Sequence, residues 1–359
     1  MRVSGVPTVS VVVPTFNRAR LLAETLTAIT TQSVPPHEVI VVDDGSTDDT
    51  SDVVSRFGAV CRYVRITNSG DLVARNVGVR SATGDLVAFC DSDDLWRPNF
   101  LEAMIRLWEL RPEAKVAYCD FSTVRDSVWS TVTKFETAPA GFWDGLIPLS
   151  EGYGVFEHPI VERVIHFQPF FASCIVVQRE FFTAAGGWDE GVGRTLGSDF
   201  ATVLRLAEHT PFGVVSRPLA GIRKHAGNFS ADVVKMQLGD SRVLEYALAT
   251  RAWPDSVRRA AHASVRARRK NALDLSFDRR EFAEVQRVFE LLRAGPPQEW
   301  RVRLKARIAG LPRPLASAVA TPLIVLRSIW QSMRSPSTDD SAAERARDLS
   351  SPARSERRV

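Results

Sequence analysis

Cysteine is scarce. Cys61, Cys90, Cys119 and Cys174 are the only four in 359 residues, and no two form a CxxC pair. That spacing argues against a zinc framework or a disulfide scaffold and fits a reducing compartment. Long apolar runs are missing too. No stretch of about 18 or more uncharged apolar residues occurs, so no membrane-spanning helix is expected. The N-terminus has no basic-then-apolar leader before the chain turns apolar near Val9, and a cytoplasmic chain is the expectation. No GxxxxGK[ST] loop is present, and no GxGxxG follows the first apolar run; Gly191-Val192-Gly193 comes late and follows no clear strand. Both absences disfavour P-loop and classical dinucleotide enzymes. The lack of a GxSxG elbow disfavours an α/β-hydrolase. No internal repeat is visible.

What is present is ordinary globular material: 45% hydrophobic and 25% charged residues, enough for a sizeable core. The net charge of +4 hides an asymmetry. Residues 1–230 hold 21 Lys+Arg against 27 Asp+Glu, and residues 231–359 hold 25 against 15. A basic appendage on an acidic body points to an anionic surface or to a solvated helical face.

Short β-branched runs alternate with helical patterns. Strands are expected at 9–13, 39–42, 61–66, 86–90 and 116–119, with helices from Ala19, over 47–57, 72–81 and 100–110. Such alternation predicts an α/β fold with a mostly parallel sheet flanked by helices. Ligands in such folds bind beyond the carboxyl ends of the strands. Residues 122–170 lose periodicity and read as a long aromatic, Gly- and Pro-rich irregular stretch. Further strands are expected at 173–178 and 212–217, with a helix at 199–208. From 231 the chain reads helical. Leu315–Met333 is apolar with basic residues around it, so it suits a membrane interface or a packed helix but does not span. Three parts follow: a catalytic body at 1–230, with a nucleotide-binding half at about 8–120 and an acceptor half at 121–230; a helical basic module at 231–333; and a tail at 334–359 expected to be disordered.

Two acidic turns sit at strand carboxyl ends. Asp91-Ser92-Asp93-Asp94 crowds three carboxylates into four residues, which a hard divalent cation bridging to substrate phosphates would neutralise. A solvated turn capping the next helix is the plainer alternative. Asp43-Asp44-Gly45-Ser46 offers a carboxylate for a base or ribose, or else only a capping turn. Pro14-Thr15-Phe16-Asn17 turns off the first strand. Arg75 has the fork of donors that suits a diphosphate. Asp199 opens a helix after a Gly-rich stretch, as an N-cap or as a general base. His225 is a structural histidine or a contact to metal or phosphate.

These segments together resemble the family 2 glycosyltransferases. The match runs over about residues 8–230, through Val-Val-Val-Pro-Thr-Phe-Asn-Arg at 11–18, Val-Val-Asp-Asp-Gly-Ser-Thr-Asp at 41–48, and Asn-Ser-Gly then Ala-Arg-Asn-Val-Gly at 68–78. It continues through Gly-Asp-Leu-Val-Ala-Phe-Cys-Asp-Ser-Asp-Asp at 84–94, Gly-Gly-Trp-Asp-Glu at 186–190 and Gly-Ser-Asp-Phe at 197–200. Each motif is weak alone; the ordered set is specific. The resemblance implies a GT-A fold and an inverting transfer from a nucleoside diphosphate sugar, in cell-surface glycan or polysaccharide synthesis. The acceptor would be a glycan, a lipid-linked molecule or a small molecule, and no nucleic acid is expected.

It further implies that Pro14, Thr15, Asn17, Asp43, Asp44, Arg75, Asp91, Ser92 and Asp93 hold the donor. Asp91, Asp93, Asp94 and His225 would hold Mn2+ or Mg2+, Trp188 and Asp189 would border the acceptor, and Asp199 would be the base. The family usually has a second acidic residue beside the base, where this chain has Ser198. No processive QxxRW pattern occurs; Gln298-Glu299-Trp300-Arg301 has the wrong spacing. Two other readings remain: a sugar nucleotidyltransferase, which would want a Gly-rich nucleotide loop, and an inactive sugar-nucleotide-binding or scaffold protein. Peripheral contact with the inner membrane face through the basic C-terminal part is a further expectation.

Overall fold

The computed structural model describes residues 6–225, 227–228 and 231–332. The tail expected to be disordered lies outside these residues. By their contacts the residues divide into two compact units, Met1–Arg269 and Lys270–Val359. The sequence suggests a border near residue 230; the first unit continues to Arg269.

Among the described residues the strands are β1 (Val9–Thr15), β2 (Glu38–Asp43), β3 (Cys61–Arg65), β4 (Leu86–Phe89), β5 (Leu95–Trp96), β6 (Val116–Arg125), β7 (Val128–Thr133), β8 (Ile147–Ser150), β9 (Tyr153–Phe156), β10 (Ile175–Gln178) and β11 (Phe212–Arg223). The α-helices are α1 (Ala19–Thr30), α2 (Thr50–Ser55), α3 (Asp71–Ser81), α4 (Phe100–Leu110), α5 (Val161–His166), α6 (Arg179–Ala184), α7 (Asp199–Leu206), α8 (Val233–Thr250), α9 (Asp255–Asp278), α10 (Phe282–Arg293), α11 (Trp300–Ala309) and α12 (Arg313–Ser332).

The sheet runs β3-β2-β1-β4-β10-β6-β11-β9-β8, with β5 on β11 and β7 on β6. Strands β3, β2, β1 and β4 are parallel, and β10 enters antiparallel between β4 and β6. The central strands are continuous apolar runs because helices cover both faces: β1 is buried along all seven residues and β4 along all four. In α1 the buried face is Leu22, Leu26 and Ile29 with Thr25, the 3.6-residue stripe that anchors a helix on a sheet.

Residues 122–170 are not irregular. β6 runs on to Arg125, turns at Asp126-Ser127 and returns as β7. Both turn residues have positive φ, 49° and 65°, which is the two-residue hairpin geometry that matches strand twist. The β-branched run Val128-Trp129-Ser130-Thr131-Val132-Thr133 carried the strand signal. β8 and β9 form a second hairpin, and the aromatics fill a core in which Phe142, Trp143, Phe156 and Phe170 contact one another and Phe135. β11 is also longer than expected. It crosses Pro218 by shifting register against β6, as a strand must at a residue without an N–H to give to the ladder.

Candidate functional site

The carboxyl ends of β1, β2 and β4 open on one pocket of 980 Å3, a size suited to a nucleotide-sized ligand. Pro14, Thr15, Asn17, Asp44, Arg75, Asp91, Ser92, Asp93, Asp94, Asp199 and His225 all line it. Residues separated by more than two hundred positions therefore meet where the topology places a ligand.

The first turn is stitched together by its own side chains. The Asn17 backbone N–H donates to Ser46 Oγ at 2.9 Å, and Asn17 Oδ1 accepts from the Thr47 N–H at 2.8 Å. Asn17 itself has φ 51°, a left-handed conformation that asparagine tolerates. Asp43 points away from the pocket: Oδ1 accepts from the Ser46 N–H at 2.8 Å and Oδ2 from the Tyr63 hydroxyl. Asp44 lines the pocket, and its two oxygens accept the Ser69 and Gly70 N–H groups at 2.6 and 2.9 Å. It fixes the 68–70 turn and keeps lone pairs for a ligand donor. Thr15 Oγ1 is buried without a hydrogen-bond partner, a group whose desolvation a bound ligand would offset.

Arg75 is 4% exposed and ties the site together. It donates to Asp91 Oδ1 at 2.6 Å and to Asp71, and its guanidinium lies 5.0 Å from the Trp188 ring. Trp188 is accordingly a core residue, 1% exposed against Phe89 and Phe182. It lies beneath Arg75 and does not line the pocket as the acceptor-bordering expectation had it. Asn76 holds it there, accepting from the Trp188 N–H at 2.7 Å and donating to its carbonyl at 2.8 Å. Asp189 is also outside the pocket lining. Its Oδ1 accepts from the Tyr246 hydroxyl at 2.8 Å and from the Gly191 N–H at 3.2 Å.

The acidic turn divides into different roles. Asp94 Oδ2 accepts from Ser173 Oγ at 2.5 Å and Oδ1 from the Arg223 N–H at 3.0 Å. Burial first, then Asp93 and Asp91, push its carboxyl well above the usual carboxylate range. With both oxygens taken by protein donors, Asp94 braces the turn. Asp93 Oδ2 instead meets His225 Nε2 at 3.0 Å and accepts from Arg18.

Among the described residues no three His, Cys, Asp or Glu side chains converge as a metal cluster. Asp93 and His225 could share a divalent cation with diphosphate oxygens and water only if it displaced Arg18 from Asp93 Oδ2.

Asp199 opens α7, behind the N-cap residue Ser198. Burial pushes its carboxyl up to about 7; Arg75 opposes that rise, while Asp71, Asp91 and Asp240 add to it. A carboxylate that titrates near neutrality is matched to proton abstraction. Sequence reasoning gave no site role to several polar residues of the lining, among them Arg18, Arg194, Lys224 and Asn228. Arg18 closes the first motif and His225 follows Lys224, so adjacency was the available signal. Arg194 carried none. It reaches the pocket only because its guanidinium donates to the Asn68 carbonyl at 2.9 Å and to Asn68 Oδ1 at 3.0 Å across the fold.

Among known proteins, the family model described as glycosyl transferase family 2 matches residues 10–156. Residues 188–225 of the site lie beyond that match. The validoxylamine A glucosyltransferase of Streptomyces hygroscopicus subsp. limoneus is 32% identical over 256 residues, 67% of this chain and 56% of that protein. The putative teichuronic acid biosynthesis glycosyltransferase TuaG of Bacillus subtilis is 38% identical over 103 residues, 28% of this chain and 41% of that protein. The chain thus spans only about half the length of these relatives. A solved structure of the mannosyltransferase PcManGT from Pyrobaculum calidifontis, in complex with GDP-Man and Mn2+, superposes with a TM-score of 0.53 at 19% identity. That likeness covers 88% of this chain and 87% of that one, and concerns the fold. The sheet is the GT-A arrangement, and residues 10–156 carry the match to glycosyl transferase family 2.

Proposed function

We propose that this protein is an inverting glycosyltransferase that moves a sugar from a nucleoside diphosphate sugar to an acceptor hydroxyl. The carrying observation is that the Asp91–Asp94 turn, Arg75 and a carboxyl titrating near neutrality, Asp199, line one pocket at the strand ends. In this reading residues 1–230 form the catalytic part. Thr15 and Asp44 hold the base, braced by Pro14, Asn17 and Asp43. Asp91 and Ser92 lie along the ribose, and Arg75 lends its charge to the diphosphate side.

A divalent cation held by Asp93 and His225 would supply charge stabilisation for the departing diphosphate; the Mn2+ bound by the mannosyltransferase supports this. Asp199 takes the acceptor hydroxyl proton as the acceptor oxygen bonds to C1. The C1–oxygen bond to the diphosphate breaks, and its electron pair leaves with the nucleoside diphosphate. Nothing covalent forms on the protein, so alignment and electrostatics provide the acceleration. TuaG's name supports an acceptor in a cell-surface glycan. The excess of basic residues after 230 supports peripheral contact with a membrane.

The test is a panel of nucleoside diphosphate sugars with manganese, read by released diphosphate and by calorimetric binding of the diphosphates. Turnover of one donor that depends on Asp199 is expected. Binding of no diphosphate, and release from no donor, would overturn the reading.

A further inference from the structure

Two neighbouring helices of the unit Lys270–Val359 each expose an apolar stripe, unlike an ordinary solvated helix pair. Leu315, Val319 and Leu323 are 56%, 44% and 41% exposed. Their i, i+4, i+8 spacing makes one stripe along α12, while Ala316 and Ala320, about 100° further round the helix, are buried. Leu311, just before α12, is 42% exposed. On α11, Trp300 and Leu304 are one turn apart and 63% and 39% exposed. Large apolar side chains grouped this way mark a contact surface, whereas single ones do not.

Charge selects the partner. Between Trp300 and Ser332 the chain carries six basic residues, Arg301, Arg303, Lys305, Arg307, Arg313 and Arg327, and no Asp or Glu. Lys305 is turned to Asp274 at 2.7 Å; Arg303, Arg307 and Arg313 are exposed. A second copy of this face would set like charges against like, because a two-fold interface pairs a patch with itself. Nucleic acid would use the charge but would leave the leucine stripe in water. An anionic lipid surface uses both, and an exposed tryptophan suits the headgroup level. No described helix is long and apolar enough to cross a membrane, so the face lies along the surface.

We propose that α11 and α12 seat on an anionic phospholipid surface, with Trp300, Leu304, Leu311, Leu315, Val319 and Leu323 entering the headgroup–acyl boundary. This deepens the membrane contact of the proposed function and rests on it, but not on the chemistry assigned to the pocket.

The full chain is sedimented with phosphatidylcholine vesicles, with and without about 30 mol% phosphatidylglycerol. Binding to the anionic vesicles only, weakening with salt, is expected. Leu315→Glu with Leu323→Glu should lower that binding by about tenfold or more, with thermal unfolding and nucleotide binding unchanged. If that variant unfolds, Arg303→Gln with Arg307→Gln provides the same reading through lost anionic preference. Equal binding to both vesicle types, or binding that survives both variants, would overturn this face while leaving a membrane contact elsewhere. Binding to neither would overturn the membrane contact itself. A dimer in solution that the Leu→Glu variant dissolves would assign the face to a second copy. None of these failures touches donor turnover, which is measured separately.

Discussion

The Leu196 carbonyl oxygen lies 2.1 Å from where a Cβ on Gly239 would stand. Helix α8 thus docks its backbone against the loop that presents Asp199. Beside it, a Cβ on Gly197 would meet Asp240 Oδ1 at 2.6 Å, and Gly197 has φ 75°. Gly239→Ala is expected to destabilise the protein by about 1–3 kcal/mol through overpacking. Helix propensity alone would make it stabilising by up to about 1 kcal/mol. Chemical denaturation gives the sign. Turnover should fall too, because the clash moves the loop before α7.

Asp199→Asn should leave nucleoside diphosphate binding within a few-fold of the original and reduce transfer by about 10²–10⁴. Titration calorimetry and single-turnover transfer separate the two. Unchanged turnover would remove Asp199 as the base.

The pH dependence follows from the same carboxyl. Because the folded state raises its pKa to about 7, folding favours the protonated form. Stability from this group is complete below the ordinary aspartate range and erodes as pH rises toward about 7. Asp199→Asn should therefore raise the unfolding temperature more at pH 8 than at pH 5. The acid limb of transfer in the unaltered protein should fall near neutrality. Asp240, paired with Arg268 at 2.5 Å, adds to the raised pKa, so Asp240→Asn should move that limb to lower pH.

Asp93→Ala and His225→Ala should each weaken manganese-dependent binding of the diphosphate by on the order of tenfold or more. Binding without manganese should change much less. Asp94→Ala should behave differently: it strips partners from Ser173 and the Arg223 N–H and should cost about 1–3 kcal/mol of stability.

Thr15→Val replaces an unpartnered buried hydroxyl with a methyl of the same shape. The free protein should unfold at an equal or higher temperature. Nucleotide affinity should drop by a few-fold to about tenfold, the value of one net hydrogen bond. A parallel loss of both would mean that the hydroxyl has an internal role.

Much of the catalytic half was legible because its signals are local. Residues 9–13 and 39–42 are continuous β-branched runs, so burial on both faces and strand identity follow without partners being known. The helix 100–110 was readable to the residue, from its apolar stripe and from Pro112 beyond it. The hairpin at 125–128 was missed because its Asp126-Ser127 turn has no glycine. Trp188 was misplaced for a different reason. Its motif says that the turn is special, but only packing on Phe89 and Phe182 decides which way the ring points.

The sequence by itself determined the alternation of strands and helices, the acidic turns at strand ends and the basic C-terminal composition. Each depends on neighbours within a few positions. Only the tertiary structure decided that Asp94 braces Ser173 and Arg223, that Asp93 meets His225, and that Arg194 and α8 close on the pocket. Those relations join residues up to 132 positions apart. They are fixed by where β10, inserted antiparallel between β4 and β6, sends the chain next. No local periodicity encodes that path, because it is the free energy of burying the whole sheet that selects it.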